Sequence, residues 1–338
     1  MISKYKYLSM KAVILNKNGT LEDRFTEQPK PKNNEVLIQI KASGFNPIDY
    51  QMLENELERK LISSPILGRE LSGIIVGKGS EVTQFNIGDE VYCGSGSMGS
   101  NGTYAEYISV PESIVSFKPK NISFEQAASI PSVGLTSLQI FTRLKLKPEN
   151  TILITGATGG VGSFLLKLLL AHNIRQITAT VGSEENRQIL LNMGLKDYQI
   201  INYREKNLIE NILKANNNQS FEFGIDLVGN YMSEVTAEVL NINGTYVDVT
   251  ALVTKEAHEI LFNKGTLIMN ISNYTYGMAK KYEYYKNSLL EIKRLIENGI
   301  ILPPQHKVIG NLSLDTVLQA HSMLKNNQTQ GHKLIMKH

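Results

Sequence analysis

The residues with the clearest chemistry in this chain are glycines. Thr151-Ile-Leu-Ile-Thr-Gly-Ala-Thr-Gly-Gly-Val-Gly162 leads into Ser163-Phe-Leu-Leu-Lys-Leu-Leu-Leu-Ala171: an apolar run, a glycine cluster, then good helix formers. That order predicts strand, tight turn and helix. Free backbone N–H groups and the positive end of a helix dipole gather at such a turn, which suits a pyrophosphate. In the Gly-x-Gly-x-x-Gly dinucleotide pattern Ala157 takes the first position, Gly159 the second and Gly162 the third, with Thr158, Gly160 and Val161 completing the loop. Gly159 lets the backbone approach the phosphates, and Gly162 lets the helix lie close on the strand.

The next apolar run, Gln176-Ile-Thr-Ala-Thr-Val181, bears on which dinucleotide binds. An NAD site carries an acid for the ribose 2′-hydroxyl about 20 residues past the fingerprint. Here the run ends in Gly182-Ser183 and reaches Arg187 one turn into the following helix. A hydroxyl with a guanidinium, whose donors form a fixed fork, suits a 2′-phosphate. Glu184 and Glu185 fall in the first helical turn, where acids complement the dipole. The expected cofactor is NADPH rather than NADH.

The elements that must position this turn alternate. From Thr151 to about Ser272, strands at 151–155, 176–181, 199–203, 223–228, 244–249 and 266–271 are separated by helical stretches, which predicts a doubly wound parallel sheet. Upstream, from Lys11 to about Val115, the pattern is all β: short runs at 12–15, 35–42, 71–77, 89–92 and 104–110, punctuated by Gly, Pro, Asn and Asp, read as a barrel or sandwich. Residues 93–102, rich in Gly and Ser, read as a surface loop. Ser123-Phe-Glu-Gln126 is a capping box that opens a helix. After Ser272 come helices at 280–297 and 314–324 and a last apolar run, Lys333-Leu-Ile-Met336. That closing strand has no partner in a parallel sheet, so it is assigned to the first domain. The expected domains are 1–125 with 275–338, and 126–274.

The 338 residues suffice for two cores, and a net charge of +3 is too small to make nucleic acid or an anionic membrane the main partner. A single cysteine, Cys93, rules out an internal disulfide framework or a multi-cysteine metal site. No apolar run is long enough to span a bilayer. Met1–Met10 lacks the apolar core and cleavage site of a signal peptide and reads as an extension ahead of an alternative start at Met10. A cytoplasmic protein is expected.

Several segments together resemble the medium-chain dehydrogenase/reductase superfamily, and within it the zinc-independent quinone oxidoreductase (zeta-crystallin-like) branch. They are Gly44-Phe-Asn-Pro-Ile-Asp-Tyr50, Pro65-Ile-Leu-Gly-Arg-Glu-Leu-Ser-Gly-Ile-Ile-Val-Gly77, Gly88-Asp89, Gly102-Thr-Tyr-Ala-Glu-Tyr107, residues 127–136, the 156–162 fingerprint and Asp226-Leu-Val-Gly229. The resemblance implies a Rossmann domain, a β-rich GroES-like barrel domain formed by both chain ends, and a cleft holding NADPH. It also implies a homodimer paired through the strand near 266–271. Zinc-dependent relatives place a cysteine where Asn46 stands, a histidine where Arg69 stands and a second cysteine near Pro131. Neither one cysteine nor six scattered histidines supply the roughly four ligands zinc needs, so no metal is expected. Glu70 survives from that metal site and reads best as a structural hydrogen-bonding carboxylate.

By the same resemblance, Asn46, Asp49 and Tyr50 lie in the loop leaving a barrel strand, where nicotinamide and substrate meet. Asn46 can donate to the cofactor ribose or a substrate carbonyl, and Tyr50 to the oxygen that becomes negative during reduction. An ordinary Asn-Pro turn and cap is the alternative for both, and Asp49 reads as structural. Arg69 either stabilises an enolate or quinol oxygen or pairs with Glu70 or Asp49, the second being the plainer reading. Tyr203 either reaches the 2′-phosphate or packs as a strand-end tyrosine. Thr136, Val228 and Gly229 are expected to line the nicotinamide pocket, Thr250 and Ala251 to approach it through backbone groups, and Lys333 either to approach the cofactor or to be a solvated lysine. The tyrosines at 274, 276, 282, 284 and 285 either roof the substrate cleft or pack an interface.

The function expected is transfer of hydride from NADPH to a quinone or an α,β-unsaturated carbonyl without zinc. The alternatives are an enoyl-thioester reductase of lipid or polyketide metabolism, a non-catalytic NADPH-binding sensor, and a zinc enzyme with atypical ligands.

Overall fold

A computed structural model describes residues 8–55 and 64–338. The chain divides into two units, one formed by the sequence up to Leu135 together with Tyr274–His338, the other by Thr136–Asn273. Part of the expected leader, residues 1–7, and part of the expected substrate loop, 56–63, lie outside the described residues.

The first unit opens with an antiparallel pair, β1 (Ser9–Leu15) and β2 (Leu21–Glu27). Asn16 turns the corner by accepting backbone N–H bonds from Asn18 and Thr20. In β3 (Glu35–Gly44), alternate Val36, Ile38, Ile40 and Ala42 are fully buried, the period-two signature of a strand with one face on a core. β3 pairs antiparallel with both β4 (Glu70–Lys78) and β6 (Tyr107–Pro111). β4 carries β5 (Glu90–Gly94), and β5 carries β7 (Ser116–Phe117).

Two sequence expectations are corrected here. Cys93 is not in a surface loop: it lies in β5, fully buried, and burial pushes its thiol pKa up to about 12. The rest of that segment is a loop as expected, part-exposed through 96–100, with Ser95 and Asn101 buried and Asn101 donating to the carbonyls of Gly102 and Tyr107. The stretch from Pro47 is a helix, Pro47–Glu54, rather than a loop. Asn46 is its N-cap, Pro47 occupies the first turn, and the Asp49 carboxylate accepts the Asn46 N–H at 2.8 Å. The Ser123–Gln126 capping box forms as expected.

The second unit holds six parallel strands: β8 (Ile152–Thr155), β9 (Ile177–Val181), β10 (Ile200–Asn202), β11 (Phe221–Asp226), β12 (Leu240–Asp248) and β13 (Leu267–Asn270). Their spatial order is β10-β9-β8-β11-β12-β13, the doubly wound arrangement that alternation predicted. Ile152, Ile154, Leu165, Leu169, Ala179 and Ile225 sit in one apolar core between sheet and helices.

The chain then returns to the first unit through helix Glu283–Glu297, β14 (His306–Asn311), helix Leu314–Lys325 and β15 (Lys333–Lys337). β15 pairs antiparallel with β3, setting Ile335 opposite Gly44 and Met336 opposite Ser43, so the closing strand finds its partner where the sequence placed it. β14, parallel to β15, was not legible as a strand because His306-Lys-Val-Ile-Gly-Asn311 has no apolar run or clean alternation. Among the described residues no helix is long and apolar enough to cross a membrane.

Candidate active site

In the second unit the glycine turn joins β8 to helix Gly160–Ala171. Gly162 is there for close approach: a Cβ at that position would lie 2.4 Å from the Gly156 carbonyl oxygen and 2.7 Å from the Ala157 Cα. Gly159 is the N-cap, without a side chain to bond the first helical N–H groups, and no acid stands in the first turn. Such N–H groups are left for an external anion, so the turn fits the diphosphate of a dinucleotide.

The carboxyl ends of the neighbouring strands are organised by two aspartates, neither of which was expected to have a role of its own. Asp226 ends β11 and is fully buried; its Oδ1 accepts from the Val228 and Gly229 N–H groups, each at 3.0 Å, and from Thr155 Oγ1 at 2.7 Å. Tyr246 donates to Asp226 Oδ2 at 2.7 Å, and burial, then the Asp226 charge, pushes the Tyr246 hydroxyl pKa well up. Asp248 ends β12 and accepts from the N–H groups of Thr250 and Ala251, each at 2.9 Å. Ala251 is thereby held at a left-handed φ of 57°. The missed signal was an aspartate at a strand end whose carboxylate accepts from backbone N–H donors two and three residues on. Thr136 accepts from Asn273 Nδ2 at 2.9 Å. In open parallel sheets these strand ends are where ligands bind.

The residues expected at a 2′-phosphate are distributed differently. Ser183 caps helix Glu184–Asn192, its Oγ accepting from the Asn186 N–H. Tyr203 packs over Gly182, its hydroxyl oxygen 2.2 Å from where a Cβ there would stand, and it is part exposed rather than buried. Arg187 points to Asp197: Nη2 lies 2.7 Å from Asp197 Oδ1 and Nε 3.1 Å from it, while Nη1 donates to the Ile200 carbonyl at 2.7 Å. Its guanidinium thus ties the helix to the 197–200 segment. The cation near Tyr203 is Arg204, its guanidinium 5.9 Å from the ring centre.

In the first unit the functional candidates gather at the joint of β3, β4 and β15. Lys333, at the start of β15, is buried rather than solvated. Its Nζ donates to Glu70 Oε1 at 2.5 Å, Asn46 Oδ1 at 2.8 Å and the Phe45 carbonyl at 3.0 Å. Asn46 Nδ2 donates to the same Glu70 oxygen at 2.8 Å, and the Ser132 N–H to Glu70 Oε2 at 2.7 Å. Gly44 makes room for this cluster: a Cβ there would stand 2.5 Å from Glu70 Oε1 and 2.6 Å from the Ala128 carbonyl. Both ends of the Asn46 amide are therefore engaged, leaving one N–H for anything else.

Asp49 is buried beside this cluster, and burial raises its pKa to about 6 against the opposing Asn46 N–H bond and the Arg69 charge. Its Oδ1 has no hydrogen-bond partner among the described residues. Tyr104 and His321 form a buried hydrogen-bonded pair at 3.1 Å, with the imidazole pKa lowered by burial to about 4. Tyr50 is half-buried, forms no hydrogen bond to the described residues and lies within electrostatic reach of Lys325. Arg69 makes neither of the pairings considered for it, because Glu70 is taken by Lys333 and Asp49 lies beyond ion-pair distance; its Nη1 instead meets the Met52 sulfur at 3.5 Å.

Among the described residues no three His, Cys, Asp or Glu side chains stand together as a metal site. The place that zinc-dependent relatives give to a metal holds one carboxylate, Glu70, already bonded to an ammonium. These residues do not fit a zinc ion.

Residues 32–120 match the family model of the alcohol dehydrogenase GroES-like domain, and residues 160–292 that of the zinc-binding dehydrogenase domain, together well over half the chain. The chain is 29% identical to the NAD(P)H oxidoreductase RTN4IP1, mitochondrial, of Dictyostelium discoideum, over 96% of this chain and 99% of that protein. It is 30% identical to probable polyketide synthase 39 of the same organism over 95% of this chain, which corresponds to 12% of that much longer protein. Its fold superposes on Escherichia coli quinone oxidoreductase complexed with NADPH with a TM-score of 0.83 at 25% identity, covering 98% of this chain and 99% of the other.

Proposed function

The chain belongs to the medium-chain dehydrogenase/reductase superfamily of oxidoreductases, and within it we propose an NADPH-dependent, zinc-independent reductase of quinones or α,β-unsaturated carbonyl compounds. The observation that carries this reading is the Lys333 ammonium seated on Glu70 and Asn46. All three donors of that ammonium are spent on Glu70, Asn46 and the Phe45 carbonyl, leaving none to polarise a carbonyl, so an acceptor must delocalise its own negative charge. A conjugated carbonyl or a quinone does so; a simple aldehyde does not.

The bound cofactor would supply hydride. The N–H groups at Gly160–Gly162 would hold its diphosphate, Ser183, Tyr203 and Arg204 its 2′-phosphate, and the backbone at Val228, Gly229, Thr250 and Ala251, with Thr136, its nicotinamide end. Lys333 and Glu70 fix the Asn46 amide and so the start of helix Pro47–Glu54, which carries Tyr50. Tyr50, with no hydrogen-bond partner among the described residues, donates to the oxygen that gains charge. A proton from Tyr50 or from water completes the reduced product. Support for the cofactor comes from the relatives named for NAD(P)H and NADPH. The exposed edge strand β13, with Leu267 60% and Ile268 38% exposed, supports a homodimer built by pairing two copies of that strand.

A second reading, enoyl-thioester reduction on the same chemistry, is favoured by the match to the polyketide synthase segment. Steady-state NADPH oxidation against matched quinones, enones and enoyl thioesters separates the two. Quinones or free enones turning over at least tenfold better than thioesters supports the first reading, and the reverse order the second. Binding of NADPH with no turnover of any of them would overturn both.

A further inference from the structure

Arg69 is a half-buried cation with no carboxylate within ion-pair distance among the described residues. Glu70 holds Lys333 and Asn46, and Asp49, whose Oδ2 holds the Asn46 N–H, feels the Arg69 charge without an ion-pair contact to it. Of the five guanidinium N–H groups, one meets only the Met52 thioether, a weak acceptor, at 3.5 Å. The backbone of Arg69 is fixed, since its carbonyl accepts from the Gly96 N–H at 3.2 Å and from Ser95 Oγ at 3.3 Å.

The surroundings are apolar and aromatic. A Cβ at Gly96 would stand 3.5 Å from Arg69 Nη2 and 3.9 Å from Met98 Cε, and one at Gly277 would stand 3.1 Å from the Tyr285 hydroxyl and 3.4 Å from Met98 Sδ. Tyr276 and Tyr284 are stacked at 3.6 Å and 6°, and Tyr285 sits edge-on to Tyr284 at 5.5 Å. Tyr285 feels the Arg69 charge. A guanidinium held against thioethers and tyrosines, half out of water and with no carboxylate in ion-pair contact among the described residues, is a costly arrangement unless a ligand completes it. Its fork geometry matches a carboxylate in two parallel bonds.

We propose that Arg69 anchors a carboxylate carried by the acceptor, so that the preferred substrates are anionic conjugated carbonyl compounds with flat, apolar remainders facing the tyrosines. This inference rests on the reductase reading and narrows its substrate class.

The test compares 4-oxopent-2-enoate with its methyl ester, which differ in the charge and keep the enone. Wild-type protein is expected to prefer the anion by roughly tenfold to hundredfold in kcat/KM, the size of a charge-assisted bidentate pair. Arg69→Gln should collapse that ratio to about one with KM for NADPH unchanged, and Arg69→Lys should recover part of it. An unchanged ratio with both acceptors equally slowed would overturn the proposal and assign Arg69 to the developing enolate oxygen. A raised KM for NADPH would also overturn it, assigning Arg69 to the cofactor. Calorimetric binding of the saturated analogue 4-oxopentanoate in the presence of NADP⁺ keeps the question open to test without turnover. Binding lost in Arg69→Gln with no reduction of either enone would retain the anion site and sink the reductase reading; no binding to wild type would sink the anion site.

Discussion

The Lys333 ammonium lies 2.5 Å from Glu70 Oε1, with the two side chains 7% and 0% exposed. An ion pair this deep stabilises little over an apolar pair, yet removing one partner strands a charge away from water. Glu70→Gln or Lys333→Met alone should therefore cost about 3–5 kcal/mol, and the double variant clearly less than the sum. Urea unfolding of the four proteins measures it. Additive losses would mean that the two groups do not act as a pair.

The buried histidine of the Tyr104–His321 pair should give stability an acid limb. Its folded pKa is about 4 against an ordinary 6.5, so the unfolded chain takes up a proton at pH values where the folded one does not. Stability is lost as pH falls from 6.5 towards 4, by up to roughly 3 kcal/mol from this group. His321→Gln, which keeps a bond to the Tyr104 hydroxyl, should gain on wild type over that window and show no such gain above pH 7. Parallel stability–pH curves for the two proteins would contradict this.

Asp49 works in the opposite direction. Its carboxyl, raised by burial from 3.8 to about 6, holds a proton in the folded state across a window where the unfolded chain does not. That contribution is lost as pH rises through about 6. Asp49→Asn should therefore gain stability on wild type at pH 7 relative to pH 4, by up to roughly 3 kcal/mol. Denaturant midpoints at the two pH values check it, and an equal difference at both would rule it out.

Arg187 and Arg204 should separate in kinetics. Arg187 holds Asp197 and the Ile200 carbonyl, so Arg187→Ala should lower stability by about 1–3 kcal/mol and raise KM for NADPH and NADH alike. Arg204→Gln should raise KM for NADPH about tenfold and leave NADH unaffected, as expected for one lost phosphate contact. The reverse pattern would return the 2′-phosphate to Arg187.

The edge of the parallel sheet gives an assembly test. Ile268→Lys places a charge on exposed β13 without touching its pairing to β12. Sedimentation should show a dimer for wild type and a monomer for the variant. Equal sedimentation of both would exclude the strand as the interface.

Legibility in the sequence followed the range of the interaction. The β8 turn could be read because dinucleotide loops require glycine at fixed local spacing, and Gly162 meets its neighbours within six residues. The alternation that produced the parallel sheet is likewise local, as is the period-two burial of β3. The Glu70–Lys333 pair joins residues 263 apart, so nothing near Lys333 distinguished a buried cation from a solvated one. Asn46-Pro-Ile-Asp49 satisfies a turn and a capping box equally, and burial of Asp49 and Met52 decides for the helix. The Arg187 contact to Asp197, ten residues on, was not legible because nothing in the helix sequence marks that acceptor. Asp248 was passed over, and Asp226 was read only as the start of the 226–229 segment, because their role is to hold neighbouring N–H groups.

Acceptor class in the absence of added metal is the property that distinguishes a zinc-independent reductase. NADPH oxidation should be measured with chelator-treated protein against a quinone or enone and, side by side, against the saturated ketone or aldehyde of the same carbon skeleton. Rapid turnover of the conjugated acceptor, none above background for the saturated one, and no change on adding zinc are expected. Reduction of the saturated carbonyl, or activity that appears only when zinc is restored, would contradict the zinc-independent reading.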